Sequence, residues 1–269
     1  MKRLSRKCRA RGPGPVVLLT GAANGIGRAT ALGLAARGFQ LGLIDRDGTA
    51  LDAVAALVRE QGSVVEAHAA DVCDDSIQGA VDALESAIGP TEIVVTCAGV
   101  GSLSSALDLD IPGFRRMLEV NVIGMARTIE AVLPGMFARG SGHVVGIASV
   151  AGYRGMPWMP GYSASKAAVA TYLEGLRPAL KRRGVRITTV YPGFVRTGMT
   201  LRTPFRNPVK MLEAEQAASY LVRAVERRPR DYTFPLSAKL GMGVLRRLPS
   251  FLFDRIMDQA GPRALTSEF

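Results

Sequence analysis

Residues 16–27 read VVLLTGAANGIG and join an apolar run, Val16–Thr20, to a turn that contains Gly21, Gly25 and Gly27. Glycine has no Cβ and accepts positive φ, so a glycine turn between a strand and a helix lets the backbone come close to a diphosphate. The amides at the start of the helix point at the phosphates, and the helix dipole adds to the attraction. The stretch therefore predicts a strand, a phosphate-binding turn and a helix.

Apolar runs and helix-forming runs alternate along most of the chain. The predicted strands are Val16–Thr20, Gln40–Ile44, Val64–Ala67, Ile93–Thr96, Val144–Ile147 and Arg186–Tyr191. The predicted helices are Arg28–Arg37, Thr49–Gln61, Asp75–Ile88, Phe114–Arg139 and Tyr162–Arg183. Near-continuous apolar strands that alternate with helices favour a parallel sheet covered on both faces. We predict a single-domain α/β fold, a Rossmann-like doubly wound parallel sheet with helices on both faces.

Composition and charge indicate the size of the core, the absence of a predicted transmembrane helix and the position of a basic tail. The 269 residues are 48% hydrophobic, which is enough for a large core. The sequence contains no window of 18 consecutive apolar residues, so no transmembrane helix is predicted. The formal charge is +11, and the first eleven residues supply six cations, at Lys2, Arg3, Arg6, Lys7, Arg9 and Arg11. We predict a basic disordered tail at 1–14, a dinucleotide-binding and catalytic domain at 15–235, and an apolar and basic helical extension of that domain at 236–269.

The tail is expected to be solvated, and contact with nucleic acid or an anionic membrane is the alternative. The sequence contains no aromatic and basic platform for nucleic acid, so no nucleic-acid partner is predicted. The apolar run Val16–Leu19 is too short for the core of a secretory signal, which favours a cytoplasmic protein.

Cysteine and histidine are sparse and scattered. Cys8, Cys73 and Cys97 form no CxxC pair, which fits a reducing compartment. His68 and His143 have no acidic or cysteine partners at ligand spacing, so no metal site is predicted.

An acidic residue follows the second predicted strand, where a dinucleotide fold needs one for the adenosine ribose hydroxyls. Asp45 lies 18 residues after Gly27 and directly follows Ile44. A carboxylate at this place repels a 2′-phosphate, which favours NAD over NADP. The neighbouring Arg46 is the complication, because a guanidinium can bind that phosphate.

Tyr162 and Lys166 are four residues apart and therefore share one face of a predicted helix. An ammonium group near a phenol favours the phenolate and lowers the pKa of the phenol from about 10. A tyrosine tuned in this way is a general acid or base for a carbonyl or alcohol oxygen. The same spacing also occurs on ordinary helix surfaces, so the pair needs support from the rest of the chain.

The spacing G-x-x-x-G-x-G, together with Tyr-x-x-x-Lys, resembles the short-chain dehydrogenase/reductase family over roughly Val16 to Thr200. The resemblance implies that Asp71-Val72 contacts the adenine and that Pro192, Gly193, Val195 and Thr197 contact the nicotinamide carboxamide. The implied cofactor-binding residues are Gly21, Asn24, Gly25, Ile26, Gly27, Asp45, Arg46, Asp71, Val72, Cys97, Ala98, Gly99, Tyr162, Lys166, Pro192, Gly193, Val195 and Thr197.

The same resemblance implies four catalytic residues, Asn121, Ser149, Tyr162 and Lys166. Tyr162 would exchange a proton with the substrate oxygen, Ser149 would donate a hydrogen bond to that oxygen, and Lys166 would lower the pKa of Tyr162 and hold the nicotinamide ribose. Asn121 would fix a water that links Lys166 to solvent. The chain departs from the family at Cys97, where an asparagine is usual, and we interpret this cysteine as a small apolar substitute.

The family implies that two segments, Val150–Gly161 and Gly198–Leu212, close the substrate pocket. Their larger apolar side chains are Met156, Trp158, Met159, Met199, Leu201 and Phe205. These predict hydride transfer between a nicotinamide cofactor and a hydrophobic secondary alcohol or ketone that is steroid-, retinoid- or lipid-like. The alternatives are an NADPH-dependent carbonyl reductase and a non-catalytic NAD(H)-sensing protein. The resemblance also implies a homodimer or homotetramer.

The C-terminal stretch Phe234–Met257 combines apolar residues with lysine and arginine. We predict a helix that is broken at Pro249. Packing over the pocket or against a second subunit is the favoured interpretation, and peripheral contact with a membrane surface is the alternative.

Overall fold

The computed structural model describes residues 14–104, 109–201 and 211–260, with the backbone alone for residues 201 and 258–260. The predicted tail up to residue 13, Cys8, Phe205 and the end of the C-terminal extension at 261–269 lie outside the described residues.

The strands form one parallel sheet. They are β1 Val16–Thr20, β2 Gln40–Asp45, β3 Val65–Ala69, β4 Ile93–Thr96, β5 Gly142–Ile147, β6 Val185–Pro192 and β7 Asp231–Phe234. Their order in the sheet is β3-β2-β1-β4-β5-β6-β7, and every neighbouring pair is parallel. Every residue of β1 and β4 is buried, because these strands lie inside a sheet that is covered on both faces.

The helices connect and cover the strands. They are α1 Gly25–Ala35, α2 Gly48–Glu60, α3 Ser76–Ile88, α4 Ile111–Leu118, α5 Met125–Arg139, α6 Pro160–Arg182, α7 Gly198–Leu201, α8 Ala214–Arg227, α9 Leu236–Arg247 and α10 Ser250–Ala260. A π-helical segment, Glu119–Gly124, joins α4 to α5, and a 3₁₀ turn, Val150–Gly152, follows β5.

Two hydrophobic clusters lie on opposite faces of the sheet. One contains buried side chains of α1, α2 and α8, such as Leu34, Val54 and Leu221. The other contains buried side chains of α3, α5 and α6, such as Val81 and Ile129. The predicted Rossmann-like, doubly wound sheet with helices on both faces is therefore confirmed.

The structure departs from the sequence-based expectation in two places and agrees with it in a third. The single helix expected at Phe114–Arg139 is wrong, because the π-helical segment divides it into α4 and α5. The strand β7 and the helix α8 were not predicted. The helix break at Pro249 is confirmed, since α9 ends at Arg247 and α10 begins at Ser250.

The sheet topology places the site. The chain leaves β1 towards β2 and returns to β4 on the other side, so the strand order reverses between β1 and β4. Thr20 lies beside Ile44 on one side and Thr96 on the other, which brings the carboxyl ends of the three strands level. In open α/β sheets, ligands bind in the crevice outside such a reversal point.

Candidate active site

One cavity of about 830 Å³ lies along the carboxyl ends of the strands. It collects residues from every part of the chain that the sequence motifs singled out. The predicted residues that line it are Gly21, Asn24, Gly25, Ile26, Gly27, Asp45, Arg46, Asp71, Val72, Cys97, Ala98, Gly99, Ser149, Tyr162, Lys166, Pro192, Gly193, Val195 and Thr197. Asn121 is the one predicted site residue that is not part of the lining, and it lies buried behind it.

The glycine turn after β1 has the shape of a phosphate cradle. Gly21 has a φ of +71°, and a Cβ on it would lie 2.6 Å from the backbone nitrogen of Ala98. A Cβ on Gly27 would overlap the carbonyl of Gly21. Asn24 makes no side-chain capping hydrogen bond to α1, so the first amides of that helix stay available on the cavity side. These residues fit a diphosphate group at the helix N-terminus.

Asp45, at the end of β2, ties two turns together. Its Oδ2 accepts a hydrogen bond from the Ala23 amide at 3.0 Å, and its Oδ1 accepts one from the Asp47 amide at 3.1 Å. The carboxylate therefore lies against the glycine turn and at the edge of the cavity. Arg46 is exposed at the same edge.

Asp71 is held by Arg116, a residue that the sequence motifs did not single out. Nη2 of Arg116 donates to Oδ2 of Asp71 at 3.1 Å, and Nη1 donates to Sγ of Cys73 at 3.3 Å. Burial raises the pKa of Asp71, but hydrogen bonds from Cys73 and Arg116 outweigh it and hold that pKa below its usual value. Burial and the Asp71 carboxylate raise the pKa of the Cys73 thiol to about 11, so this thiol keeps its proton at neutral pH.

Ser149, Tyr162 and Lys166 meet at the other end of the cavity. Oγ of Ser149 accepts a hydrogen bond from the Ala151 amide at 3.2 Å, which leaves the hydroxyl hydrogen free to donate. Nζ of Lys166 donates to the carbonyl of Ile147 at 2.9 Å and lies 5.8 Å from the centre of the Tyr162 ring.

The pKa values of this pair correct the expectation from the Tyr-x-x-x-Lys spacing. Burial raises the pKa of Tyr162, and a hydrogen bond with Ser149 acts in the opposite direction without overcoming it. Burial also lowers the pKa of Lys166 to about 8. The expected lowering of the Tyr162 pKa is wrong for the protein alone, because desolvation of the phenolate is the largest influence on that pKa.

Asn121 lies behind the cavity and is hydrogen-bonded to two elements of the site. It lies in the π-helical segment, where its Oδ1 accepts from the Val100 amide at 2.8 Å and its Nδ2 donates to the Val100 carbonyl at 3.0 Å. Nδ2 also donates to Oγ of Ser165 at 3.0 Å, and that hydroxyl donates to the Tyr162 carbonyl at 2.8 Å. The Asn121 amide thus connects the loop after β4 to the helix that carries Tyr162 and Lys166.

Cys97 occupies the end of β4 and packs against the cluster on the α1 side of the sheet. Burial raises the pKa of its thiol to about 11. The thiol therefore stays protonated at neutral pH, which agrees with its interpretation as a small apolar substitute.

The substrate end of the cavity is lined by apolar side chains, among them Leu103, Ala151, Met159 and Met199. Met156 and Trp158, which the sequence predicted at the pocket, do not line it. Ala151, Met156 and Trp158 are buried in a cluster with Phe253 and Met257 of α10. Partly buried side chains complete this cluster, and they are Leu103, Met159, Tyr162, Met242, Leu245 and Leu248. The C-terminal helices α9 and α10 therefore pack against the loop that precedes Tyr162.

Residues 15–205 of the sequence match the family described as short chain dehydrogenase. The chain belongs to the short-chain dehydrogenase family. An uncharacterised oxidoreductase of Myxococcus xanthus (strain DK1622) is 37% identical to this dehydrogenase over 238 residues, which are 88% of this chain and 94% of the relative. The 17-beta-hydroxysteroid dehydrogenase 13 of Rattus norvegicus is 33% identical over 216 residues, which are 79% of this chain and 72% of the relative.

Solved structures of the family have the same fold. A short chain dehydrogenase/reductase from Burkholderia phymatum in complex with NAD has a TM-score of 0.77 at 28% identity and covers 93% of this chain and 96% of its own. A short-chain dehydrogenase from Sphingobium yanoikuyae in complex with NADPH has a TM-score of 0.75 at 29% identity and covers 88% and 97%. These neighbours support a nicotinamide cofactor for this short-chain dehydrogenase.

In the part of the chain that the structure describes, the dehydrogenase has neither a cluster of metal ligands nor a helix that could span a membrane. Its His, Cys, Asp and Glu side chains form no cluster of three that could hold a metal ion. Among the helices of the described ranges, none combines the length and the apolar character needed to cross a membrane.

Sequence reasoning missed two arginines of this dehydrogenase. Arg116 binds Asp71 at the adenine end of the predicted cofactor path. Arg154, at the substrate end, donates through Nη1 to the carbonyls of Leu245 and Leu248 at 3.0 and 2.6 Å. Neither belongs to a motif with a fixed spacing, since both contacts join residues far apart in the chain.

Proposed function

We propose that this short-chain dehydrogenase transfers a hydride between a nicotinamide cofactor, with NAD favoured, and the carbinol or carbonyl carbon of a hydrophobic secondary alcohol or ketone. The observation that carries the proposal is the single cavity with a glycine cradle at one end and Ser149, Tyr162 and Lys166 at the other. When bound, the cofactor supplies or accepts the hydride.

Tyr162 is the proton donor and acceptor in this proposal. Its raised pKa keeps the phenol protonated at neutral pH, which is the form that gives a proton to a carbonyl oxygen during reduction. Ser149 has its Oγ fixed by the Ala151 amide, so its hydroxyl hydrogen can donate to the same oxygen and stabilise negative charge there.

Lys166 and Asn121 act behind the tyrosine. With a pKa of about 8, Lys166 is mostly protonated at pH 7, so its ammonium can hold ribose hydroxyls and favour the phenolate when oxidation requires a base. The side-chain amide of Asn121 is occupied by Val100 and Ser165. Its backbone carbonyl is therefore the group that we assign to the water between Lys166 and solvent.

Asp45 supports the preference for NAD. Its carboxylate lies at the end of β2 against the Ala23 amide, where it can accept hydrogen bonds from ribose hydroxyls and repel a 2′-phosphate. Arg46 is exposed at the same edge and supports the alternative, an NADPH-dependent carbonyl reductase.

The apolar substrate end supports a hydrophobic substrate. Met159 and Met199 line the cavity there, and adaptable methionines suit large apolar molecules of varied shape. The similarity to 17-beta-hydroxysteroid dehydrogenase 13 agrees with a steroid-like or lipid-like alcohol or ketone. Assembly into a homodimer or homotetramer and a cytoplasmic location remain predictions.

The test is a titration with NADH and NADPH, followed by absorbance of the nicotinamide with a panel of hydrophobic alcohols and ketones. We expect tighter binding of NADH and turnover that Tyr162→Phe reduces by about 10²-fold or more. Tyr172→Phe is the matched control, because Tyr172 is an exposed tyrosine on the same helix. Cofactor binding without turnover on any substrate would contradict catalysis and favour an NAD(H)-sensing protein.

The cofactor preference has its own pair of variants. Asp45→Asn should reduce the ratio of the Kd for NADPH to the Kd for NADH, because it removes the charge that repels a 2′-phosphate. Arg46→Met should weaken NADPH binding alone. If the wild-type protein binds NADPH more tightly and Arg46→Met reverses the order, Arg46 decides the preference and the reductase is the better assignment.

A further inference from the structure

The C-terminal helices leave one large apolar face without cover among the described residues. Leu236, Leu240 and Val244 follow one another at four-residue spacing on α9 and are 66%, 62% and 61% exposed. Phe251, at the start of α10, is 75% exposed. Side chains four apart on a helix lie on one face, so the three residues of α9 form a single stripe. We call these four residues the outer face of α9–α10.

The opposite side of the same two helices is fixed to the enzyme. Phe253 and Met257 are buried, and Leu245 packs against the same cluster as Met156 and Trp158. The guanidinium of Arg154 binds the carbonyls of Leu245 and Leu248 and lies 4.0 Å from the centre of the Phe253 ring. The inner side is therefore occupied, and the outer face points away from the catalytic domain.

Positive charge surrounds the apolar stripe. The exposed cations of the two helices are Lys239, Arg246, Arg247 and Arg255. Lys239 follows Leu236 by three residues, Arg247 follows Val244 by three, and Arg255 follows Phe251 by four, so these three cations lie next to apolar side chains of the outer face. The fourth, Arg246, lies over the ring of Tyr153. Asp254 is the one acidic residue among the side chains described there.

This combination fits an anionic bilayer better than a second copy of the chain. Interfacial helices place large apolar side chains at the acyl boundary and lysine or arginine among anionic headgroups. A two-fold contact would instead bring the same patch against itself and oppose like charges. Charged side chains are also depleted at the centres of protein interfaces.

We propose that the outer face of α9–α10 docks on the surface of an anionic lipid bilayer, without crossing it. The docked enzyme would then hold the loop at residues 150–161, which borders the substrate end of the cavity and packs against the inner side of the same helices, close to the lipid. The docking is independent of catalysis and goes beyond the hydride transfer proposed above.

The test is co-sedimentation of the full chain with phosphatidylcholine vesicles, with and without phosphatidylserine. We expect binding that requires phosphatidylserine. The double variant Leu240→Ser/Phe251→Ser should lower the partition coefficient about tenfold or more, because each side chain transfers apolar area into the interface. Val64→Ser is the matched control, because Val64 is an exposed apolar residue on another part of the surface.

The charges are tested separately. Lys239→Glu/Arg255→Glu should abolish the preference for phosphatidylserine, whereas Arg59→Glu, an exposed charge reversal on α2, should leave it in place. At about 1 M salt, where the Debye length is about 3 Å, we expect residual binding that depends on Leu240 and Phe251. Thermal unfolding of each variant checks that the fold is retained.

Two results would overturn the proposal. Vesicle binding that disappears at high salt and is indifferent to all outer-face variants would assign membrane attraction to the basic residues before residue 14. A change in sedimentation velocity of the lipid-free Leu240→Ser/Phe251→Ser protein, with vesicle binding unchanged, would show that a second copy covers this face.

Discussion

His143 makes the stability of the fold sensitive to acid. The imidazole lies on β5, fully buried, with Nε2 2.9 Å from Oγ1 of Thr188. The Thr188 hydroxyl donates to the Pro229 carbonyl, so Nε2 carries the hydrogen and donates to Thr188. Nδ1 has no hydrogen-bond partner among the described residues. Burial, aided by the charges of Arg228 and Arg186, lowers the pKa of His143 from 6.5 to about 3.

The direction and size of the effect follow from that pKa. Above about pH 6.5 the histidine is neutral in both the folded and the unfolded chain, and its contribution is fully present. Between 6.5 and about 3, the unfolded chain binds a proton that the folded chain does not, so stability falls as the pH falls. Each pH unit costs about 1.4 kcal/mol. Acidification from about pH 7.5 to 4.5 therefore removes roughly 3 kcal/mol through His143 alone.

The assay is urea unfolding at the two pH values, followed by the fluorescence of the only tryptophan, Trp158. Wild-type protein should lose roughly 3 kcal/mol more than His143→Gln over this interval, because glutamine keeps a donor for Thr188 and does not titrate. His68→Gln is the control, since the His68 side chain is 37% exposed. Equal losses for the wild type and His143→Gln would refute the reasoning.

Three further changes test the two ends of the cavity. Gly21→Ala should weaken NADH binding at least tenfold and lower stability by about 1–3 kcal/mol, because its Cβ would lie 2.6 Å from the Ala98 nitrogen at positive φ. Calorimetric titration measures the affinity, and thermal unfolding measures the stability. If the variant binds NADH as tightly as the wild type, the glycine turn is not the diphosphate-binding site. Arg116→Leu should raise the Kd for NADH severalfold, because it removes the partner that holds Asp71. The kcat measured at saturating cofactor should stay unchanged. Arg154→Leu should raise KM for hydrophobic substrates more than it lowers kcat and expose α9 to trypsin; unchanged digestion would show that packing alone holds the C-terminal helices.

The sequence was sufficient for six of the seven described strands, but not for β7 or for the long helix before β5. Apolar runs in a two-sided sheet carry a strong local signal, and β1 and β4 have the bounds expected from theirs. The π-helical segment at Glu119–Gly124 has no such signal. It places Asn121 so that its amide reaches both Val100 and Ser165, and these contacts exist only once the loop after β4 and helix α6 have come together.

The site shows the same division between local motifs and distant contacts. The glycine turn and the residues Ser149, Tyr162 and Lys166 belong to fixed spacings, so their meeting in one cavity was predictable. Arg116 reaches Asp71 across 45 residues, and Arg154 reaches Leu245 across 91. Long flexible side chains on the surface of a helix or loop have many possible partners, and the folded backbone selects one of them.

The pKa of Tyr162 shows why a motif cannot replace the energetics of its surroundings. Removal from water acts on both members of the pair in the same sense, towards the neutral phenol and the neutral amine. The pKa of Tyr162 rises and that of Lys166 falls to about 8. The protein alone therefore holds a protonated phenol, which is the state that can give a proton to a carbonyl oxygen during its reduction. Oxidation of an alcohol needs the phenolate, and within this site the hydrogen bond from Ser149 is the interaction that favours it. As the pH rises, Lys166 loses its ammonium charge before a phenol with a raised pKa ionises, so the protein alone is poised for reduction rather than oxidation.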